Sequence, residues 1–329
     1  MTGNISEKYR RILAAYRLTP QKVTGRGRIK KVETDGGTFA LKKTRLRKED
    51  AGRFAHMLQT IYKKGYRRLL APSPTISGQP GVEVNGVYYT LTPWIDTNEA
   101  ADRNIKKYPV EIARLHRMTV KEQELSAVQL DAFSSTVRNI RQKQRYAFET
   151  FMETCEQRVY MSPGEYLFTS SFFQVMVLLE DSERWLAGWR EEAGDKKARI
   201  CAVLHNACED HFLTDREGGS LLINLEQAGY DSPVFDLLFY TEKHAIEGSA
   251  DPGTFVESLE PYFEAFSWRM EEKYLFAALL VSHQELLDLC LSRLRLTDHL
   301  TWTRRLQQAV WKLEKRGVIA RRMIEMETE

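Results

Sequence analysis

Residues 205–213 read His205-Asn206-Ala207-Cys208-Glu209-Asp210-His211-Phe212-Leu213. An Asp followed five positions later by an Asn, in a loop running into a strand, can deprotonate a hydroxyl and help hold Mg²⁺ during phosphoryl transfer. At that spacing this chain carries Asn206 and His211. Eighteen residues beyond Asn206 the run Leu222-Ile223-Asn224-Leu225-Glu226 carries Asn224 where the phosphoryl-transfer template has a second, metal-binding Asp. An amide has no lone pair basic enough to take a proton near neutral pH. Loss of a positioned general base costs about 10²–10⁴-fold in rate. Mg²⁺ prefers hard oxygen ligands with one or two carboxylates among them. The catalytic slots Asn206 and His211 and the metal slot Asn224 are therefore degenerate. Glu226 is the nearby acid placed to compensate, because alternation along a strand puts it on the same side as Asn224. Asp210 and Asp215 fall off the required spacing, and Asp215 fits a turn before Gly218-Gly219.

The elements that must position these residues follow from periodicity. Residues 5–17 read as a short leading helix. Residues 21–32 and 38–45 read as strands around the turn Asp35-Gly36-Gly37. Residues 47–64 have helical spacing, with Phe54, Met57, Leu58 and Ile61 on one face and Gly65 as the stop. A Pro- and Ser-rich loop follows. Residues 82–84 and 87–92 then flank Asn85-Gly86, a second hairpin signal. Beyond Pro93-Trp94-Ile95 the chain reads as mostly helical: residues 111–118, then 137–158 and 171–191 with Pro163-Gly164 breaking the segment between these two, and 255–325, with a short strand at 221–225. The fold class is α+β: a small antiparallel β lobe with a leading helix over residues 1–95, and a larger helical lobe over 96–329 that carries the degraded loop.

Composition narrows the class further. The chain has 329 residues, 48 basic against 45 acidic, for a net charge of +3, which does not favour a nucleic-acid partner. Its four cysteines, Cys155, Cys201, Cys208 and Cys290, form no C-x-x-C pair, so neither a zinc site nor a disulfide framework is expected. The N-terminus lacks the apolar core of a signal peptide, and no membrane span is expected, the run 175–179 being far too short. Nine Lys or Arg against two acids between Arg26 and Lys48 read as a solvated sheet face, or alternatively as a dock for an acidic partner. In residues 303–323, Leu306, Val310, Leu313 and Ile319 form an apolar stripe that suits a helix docked on its own lobe.

Several phrases carry a family resemblance. Thr38-Phe39-Ala40-Leu41-Lys42-Lys43 resembles the third strand of the kinase fold, with Lys42 at the phosphate-contacting position. Residues 88–95 resemble the strand and hinge that follow. Ala113-Arg114-Leu115-His116 resembles a helix of aminoglycoside and choline phosphotransferases. Residues 205–213, 223–226 and 231–237 complete the order. The likeness spans about residues 20–300. Within that superfamily the chain is most similar to CotS-type spore-coat proteins, in particular the YsxE-like branch, through the phrases at 37–43, 61–66 and 230–237. The resemblance implies a bilobal protein-kinase-like fold and a place in the endospore coat. It makes Lys42, Thr92 and Trp94 candidate nucleotide contacts, while Asp236 has a structural role, tying the loop region to the helical lobe through backbone hydrogen bonds.

Two further departures from that pattern matter. An active kinase pairs its strand lysine with a Glu on the next helix, but residues 53–66 contain no acid, leaving His56 or Gln59 to face Lys42. Thr24-Gly25-Arg26-Gly27-Arg28 has two glycines but not the full glycine-rich run. The expectation is a catalytically inactive, pseudokinase-like spore-coat protein. It is made in the mother-cell cytoplasm and acts through contacts with other coat proteins, with no cofactor. The alternatives are a divergent ATP- and Mg²⁺-dependent small-molecule phosphotransferase using Glu226 or Asp210, and a module that holds a nucleotide or sugar phosphate without turnover through Lys42 and the backbone of residues 92–94.

Overall fold

The computed structural model describes residues 6–96, 107–194, 196–214, 219–292 and 298–326. In chain order the elements are α1 (Glu7–Ala14), β1 (Pro20–Thr24), β2 (Ile29–Thr34), β3 (Gly37–Lys43), α2 (Lys48–Lys63), β4 (Val82–Val84), β5 (Val87–Pro93), α3 (Lys107–Thr119), β6 (Lys121–Gln123), α4 (Ala127–Glu156) and α5 (Pro163–Glu192). There follow β7 (Ala198–Val203), β8 (Phe212–Thr214), β9 (Ser220–Leu222), β10 (Gly229–Asp231), α6 (Val234–Thr241), α7 (Pro252–Glu257), α8 (Glu260–Ala265), α9 (Met270–Leu280), α10 (Gln284–Ser292) and α11 (His299–Glu325). Internal contacts divide the chain into two compact units. One comprises Met1–Val120 with Cys201–Asp231, the other Lys121–Ile200 with Ser232–Glu329.

The first unit is built on an antiparallel sheet in the order β1-β2-β3-β5-β4. One face packs Val32, Leu41, Tyr89 and Leu91 against Ile12 and Leu13 of α1. Both predicted hairpins form. Asp35-Gly36 closes β2 onto β3 with Thr34 opposite Gly37, and the Asp35 carboxylate accepts the Thr19 amide at 2.9 Å. Asn85 and Gly86 both take positive φ, as a tight two-residue turn requires. The predicted strand over residues 21–32 is instead two strands. Gly25 and Gly27 adopt positive φ between β1 and β2, and the Lys30 ammonium ties the turn by donating to the Gly25 carbonyl at 2.7 Å. Helix α2 buries Phe54, Met57, Leu58 and Ile61, the face expected from spacing, and ends at Gly65 with φ +90.

The second unit is helical apart from β6 and the adjoining start of β7. Helices α4 and α5 open on capping boxes, Ser126 with Gln129 and Ser162 with Glu165. The first makes α4 start ten residues before the predicted boundary at 137. The second corrects another expectation: Pro163-Gly164 opens α5 rather than breaking the chain before it, because proline is tolerated where the helix amides have no partner anyway. Leu306, Val310, Leu313 and Ile319 of α11 are buried, as a docked helix requires. Residues Met270–Ser292 are long and apolar enough by composition to cross a membrane, but more than half of that stretch is buried. It folds as α9 and α10, separated at residues 281–283.

Within this unit His283 is fully buried. Its Nε2 lies 3.3 Å from the Val175 carbonyl. Burial, with the Arg141 and Arg316 cations adding to it, pushes the imidazole down to about 3. The folded chain thus holds His283 neutral while the unfolded chain takes up a proton below about pH 6.5. The resulting loss of stability begins as pH falls through that value and continues toward 3, at up to ~1.4 kcal/mol per pH unit. His283→Gln is expected to flatten the fall in unfolding free energy between pH 6.5 and 4. An unchanged slope in urea titrations across that range would assign the acid sensitivity to other groups.

Candidate functional site

The degraded loop is held by backbone structure within the first unit. Strand β10 pairs with β7, placing Gly229 opposite Val203 and Asp231 opposite Cys201. The Ala202 amide donates to the Thr119 hydroxyl at 3.0 Å, tying β7 to the end of α3. Past Val203 the chain turns at His205, whose φ is +54. It makes a 3₁₀ turn at Glu209–His211 and enters the β8–β9 hairpin. The backbone of residues 68–70 brackets Leu222: the Leu222 amide donates to Arg68 and the Leu70 amide to Leu222. Strand β9 ends at Leu222. Asn224 adopts a left-handed conformation, φ 61 and ψ 48, followed by the 3₁₀ turn Leu225–Gln227. Asn is among the few residues that tolerate this region. Residues 223–226 do not alternate as a strand, and Glu226 reaches the side of Asn224 through this turn.

The side chains close into one hydrogen-bonded chain. The Lys42 ammonium ion-pairs with Glu226 at 2.8 Å and also donates to Asn224 Oδ1. Lysine has donors only, so it fixes the Asn224 amide with its oxygen toward Lys42 and its nitrogen toward His211 Nε2, 2.7 Å away. That Nε2 must then be an acceptor, so the imidazole proton sits on Nδ1, which donates to the Asn206 carbonyl at 2.8 Å. Cys208 Sγ lies 3.3 Å from the same nitrogen. Asn206 Nδ2 donates to the Asn224 carbonyl at 2.9 Å, while its Oδ1 is buried without a hydrogen-bond partner among the described residues. Burial, reinforced by the nearby Lys42 cation, depresses the His211 imidazole and keeps it neutral; the carbonyl bond and the acids Asp210 and Glu226 pull the other way.

A cavity of about 540 Å³ adjoins this chain. Most of its wall is apolar, including Ile29, Ala40, Leu70, Trp94, Leu213 and Ile223. Trp94 is held at its edge: its indole donates to Asp96 at 3.1 Å, and the Lys31 ammonium sits 4.6 Å from the ring centroid.

The structure thus brings Lys42, Asn206, His211, Asn224 and Glu226 together, and Thr92 and Trp94 line the same cavity. The expectation that Lys42 faces His56 or Gln59 is overturned. Both are exposed on α2, whose residue at the cavity is Phe54, and the acid partner of Lys42 comes from 184 positions along the chain. The Trp94 amide is not free as a hinge donor, since it donates to the Thr38 carbonyl at 3.0 Å and extends the sheet. Asp236 is fully buried in the first turn of α6, in the second unit. Asp210 lines the cavity, and Asp215 lies outside the described residues. Sequence reasoning missed Leu70, Pro72 and the Lys31–Trp94 contact, since nothing in their local pattern marks them as cavity residues.

The donors around Lys42 that would meet Mg²⁺ are engaged with one another in this structure, while Asp210 lines the same cavity. Glu226 is ion-paired to Lys42, Asn224 Oδ1 accepts from the same ammonium, and the acceptor nitrogen of His211 is occupied by Asn224. Among the described residues no group of three His, Cys, Asp or Glu side chains converges as a metal site.

No family model and no curated protein matches the chain. Solved structures do match. An aminoglycoside phosphotransferase from Alicyclobacillus acidocaldarius superposes with a TM-score of 0.71 at 14% identity, over 96% of this chain and 95% of that one. A spectinomycin phosphotransferase in complex with ADP and spectinomycin gives 0.55 at 10% identity over 98% and 100%. Amicoumacin kinase gives 0.51 at 11% over 92% and 90%. At such identities the likeness establishes the fold: this chain has the α+β, kinase-like phosphotransferase fold.

Removal of one member of a part-buried ion pair leaves the other charge unmet, whereas removal of both does not. Glu226→Ala is expected to cost about 2 kcal/mol of stability. The Lys42→Met/Glu226→Leu double variant should lose less than the sum of its single variants, with a coupling of about 1–2 kcal/mol. Additive losses in urea unfolding would mean that the pair is not coupled.

Proposed function

We propose that this chain is a phosphotransferase-fold protein that does not transfer phosphate and works through protein contacts. The observation that carries this reading is the closed chain from Glu226 through Lys42, Asn224 and His211 to Asn206. Lys42, Glu226, Asn224 and His211 each bond a neighbour within it. His211, at one of the degenerate positions, has its acceptor nitrogen occupied by the Asn224 amide. Neither Mg²⁺ nor ATP is part of the proposed function. The sequence phrases at 37–43, 61–66 and 230–237 place the contacts, in this reading, among the coat proteins of bacterial endospores, after synthesis in the mother cell.

Thermal unfolding with ATP, with and without Mg²⁺, tests the chemical half. A ligand at 100 times its dissociation constant stabilises by about 2.7 kcal/mol. The expected result is no Mg²⁺-dependent shift and no ADP formed. Mg²⁺-dependent turnover that disappears in Glu226→Gln would overturn it in favour of a divergent phosphotransferase. For the cellular half, a fluorescent fusion in a sporulating cell is expected to encircle the forespore; a signal that stays diffuse in the mother cell would remove the coat assignment.

A further inference from the structure

The basic stretch at residues 26–48 contributes only Arg28 and Lys42 to the cavity described above. Its last four cations, Lys43, Arg45, Arg47 and Lys48, line a separate hollow of about 430 Å³ in the first unit, where the β3–α2 connection faces the β4–β5 hairpin. All four are exposed around the buried Leu46. The Thr44 amide fixes the connection by donating to the Tyr88 carbonyl at 3.0 Å. A neighbouring hollow of about 380 Å³ shares Lys48, Glu83, Gly86 and Tyr88 with the first, so the two form one groove along the hairpin. Other cations of this sheet are partnered: Lys22 lies 3.5 Å from Glu33, and the Lys30 ammonium bonds the Gly25 carbonyl. Lys48 lies 3.9 Å from Glu83, but Lys43, Arg45 and Arg47 have no ion pair or side-chain hydrogen bond among the described residues. Four cations against Glu49 and Glu83 leave the groove with an excess of positive charge.

We propose that this groove binds an acidic peptide segment of a partner protein. A guanidinium takes a carboxylate through paired N–H donors in a fixed fork, and Arg45 and Arg47 present two such forks beside the Lys43 ammonium. Further along, Gln79 and Asn85 line the groove with neutral amides that can bond a peptide backbone. A nucleic acid suits the groove less. Glu49 and Glu83 stand in its wall and repel a continuous run of phosphates, whereas a peptide can place its carboxylates singly, opposite the cations. The inference rests on the reading of the chain as one that works through protein contacts, and adds the chemistry of a contacted partner. None of the four cations belongs to the network around Lys42 and Glu226.

The test is fluorescence anisotropy of a labelled peptide of alternating Glu and Ser, titrated with the full chain at low salt. The same peptide with Gln in place of Glu, and single-stranded oligothymidylate, are titrated beside it. The Glu peptide is expected to bind and the Gln peptide not, and added salt is expected to weaken the binding by screening exposed charges. Arg45→Glu/Arg47→Glu is expected to lower the affinity about tenfold or more. Arg138→Glu/Lys143→Glu, which makes the same change in net charge at exposed positions of α4, is expected to leave it unchanged. No binding of the Glu peptide, equal binding of the Gln peptide, tighter binding of oligothymidylate, or an equal loss in both variants would each overturn the proposal. The wild-type comparisons decide it even if a variant fails to fold. Mg²⁺-dependent ATP turnover is measured separately, so failure of the non-catalytic reading is told apart from failure of this one.

Discussion

A lysine ammonium at the edge of an apolar cavity needs a counter-charge, and where that charge comes from decides what the cavity can do. In this chain it comes from Glu226, on the turn after β9. The pair neutralises the cavity end, fixes the orientation of Asn224 and, through it, the tautomer of His211. An ammonium without such a partner would attract an anion or destabilise the fold, because desolvating an unpaired charge costs several kcal/mol.

The residues at the degenerate positions are consistent with one another. An aspartate at position 224 would put a second carboxylate beside Glu226 and offer only acceptors to the lone pair on His211 Nε2, so either a carboxyl or the imidazole would have to take a proton. Asn224 avoids this because its amide has both an acceptor for Lys42 and a donor for His211. It also tolerates the left-handed backbone that ends the strand. Asn206 then bonds the Asn224 carbonyl instead of a substrate hydroxyl. The network reads as a substituted set in which each neutral residue suits the next.

The fold shared with phosphotransferases does not fix the chemistry, since function resides in a site carried by a fold. What persists is the scaffold: a twisted antiparallel sheet with α1 on one face, residues lining a cavity along its strands, and a loop returned to the same unit by β7, β10 and the β8–β9 hairpin. The segment Cys201–Asp231 belongs with the N-terminal residues although α4 and α5 intervene in sequence. That arrangement lets a lysine on β3 pair with an acid 184 positions away.

How much was legible in the sequence varied with the range of the interaction. Local signals sufficed where the determining contacts are local. Asp35-Gly36 and Asn85-Gly86 set hairpins because the turn itself dictates their backbone, and the buried face of α2 followed from helical spacing. The degenerate slots Asn206, His211 and Asn224 were visible because amide and carboxylate chemistry differ whatever surrounds them. Capping boxes at Ser126 and Ser162 are written in the sequence, and the helices start there, ahead of the boundaries at 137 and 171 read from helical spacing. The partner of Lys42 was not legible: pairing across 184 residues depends on two backbone turns placing charges within 3 Å, and no local pattern encodes that distance. The same holds for the orientation of Asn224, the Trp94 amide taken into the sheet, and the wall of the cavity. Sequence determined which positions carry amides or an imidazole where carboxylates or an amide were expected; tertiary structure decided that they bond one another, because hydrogen bonds and ion pairs are fixed by position in space.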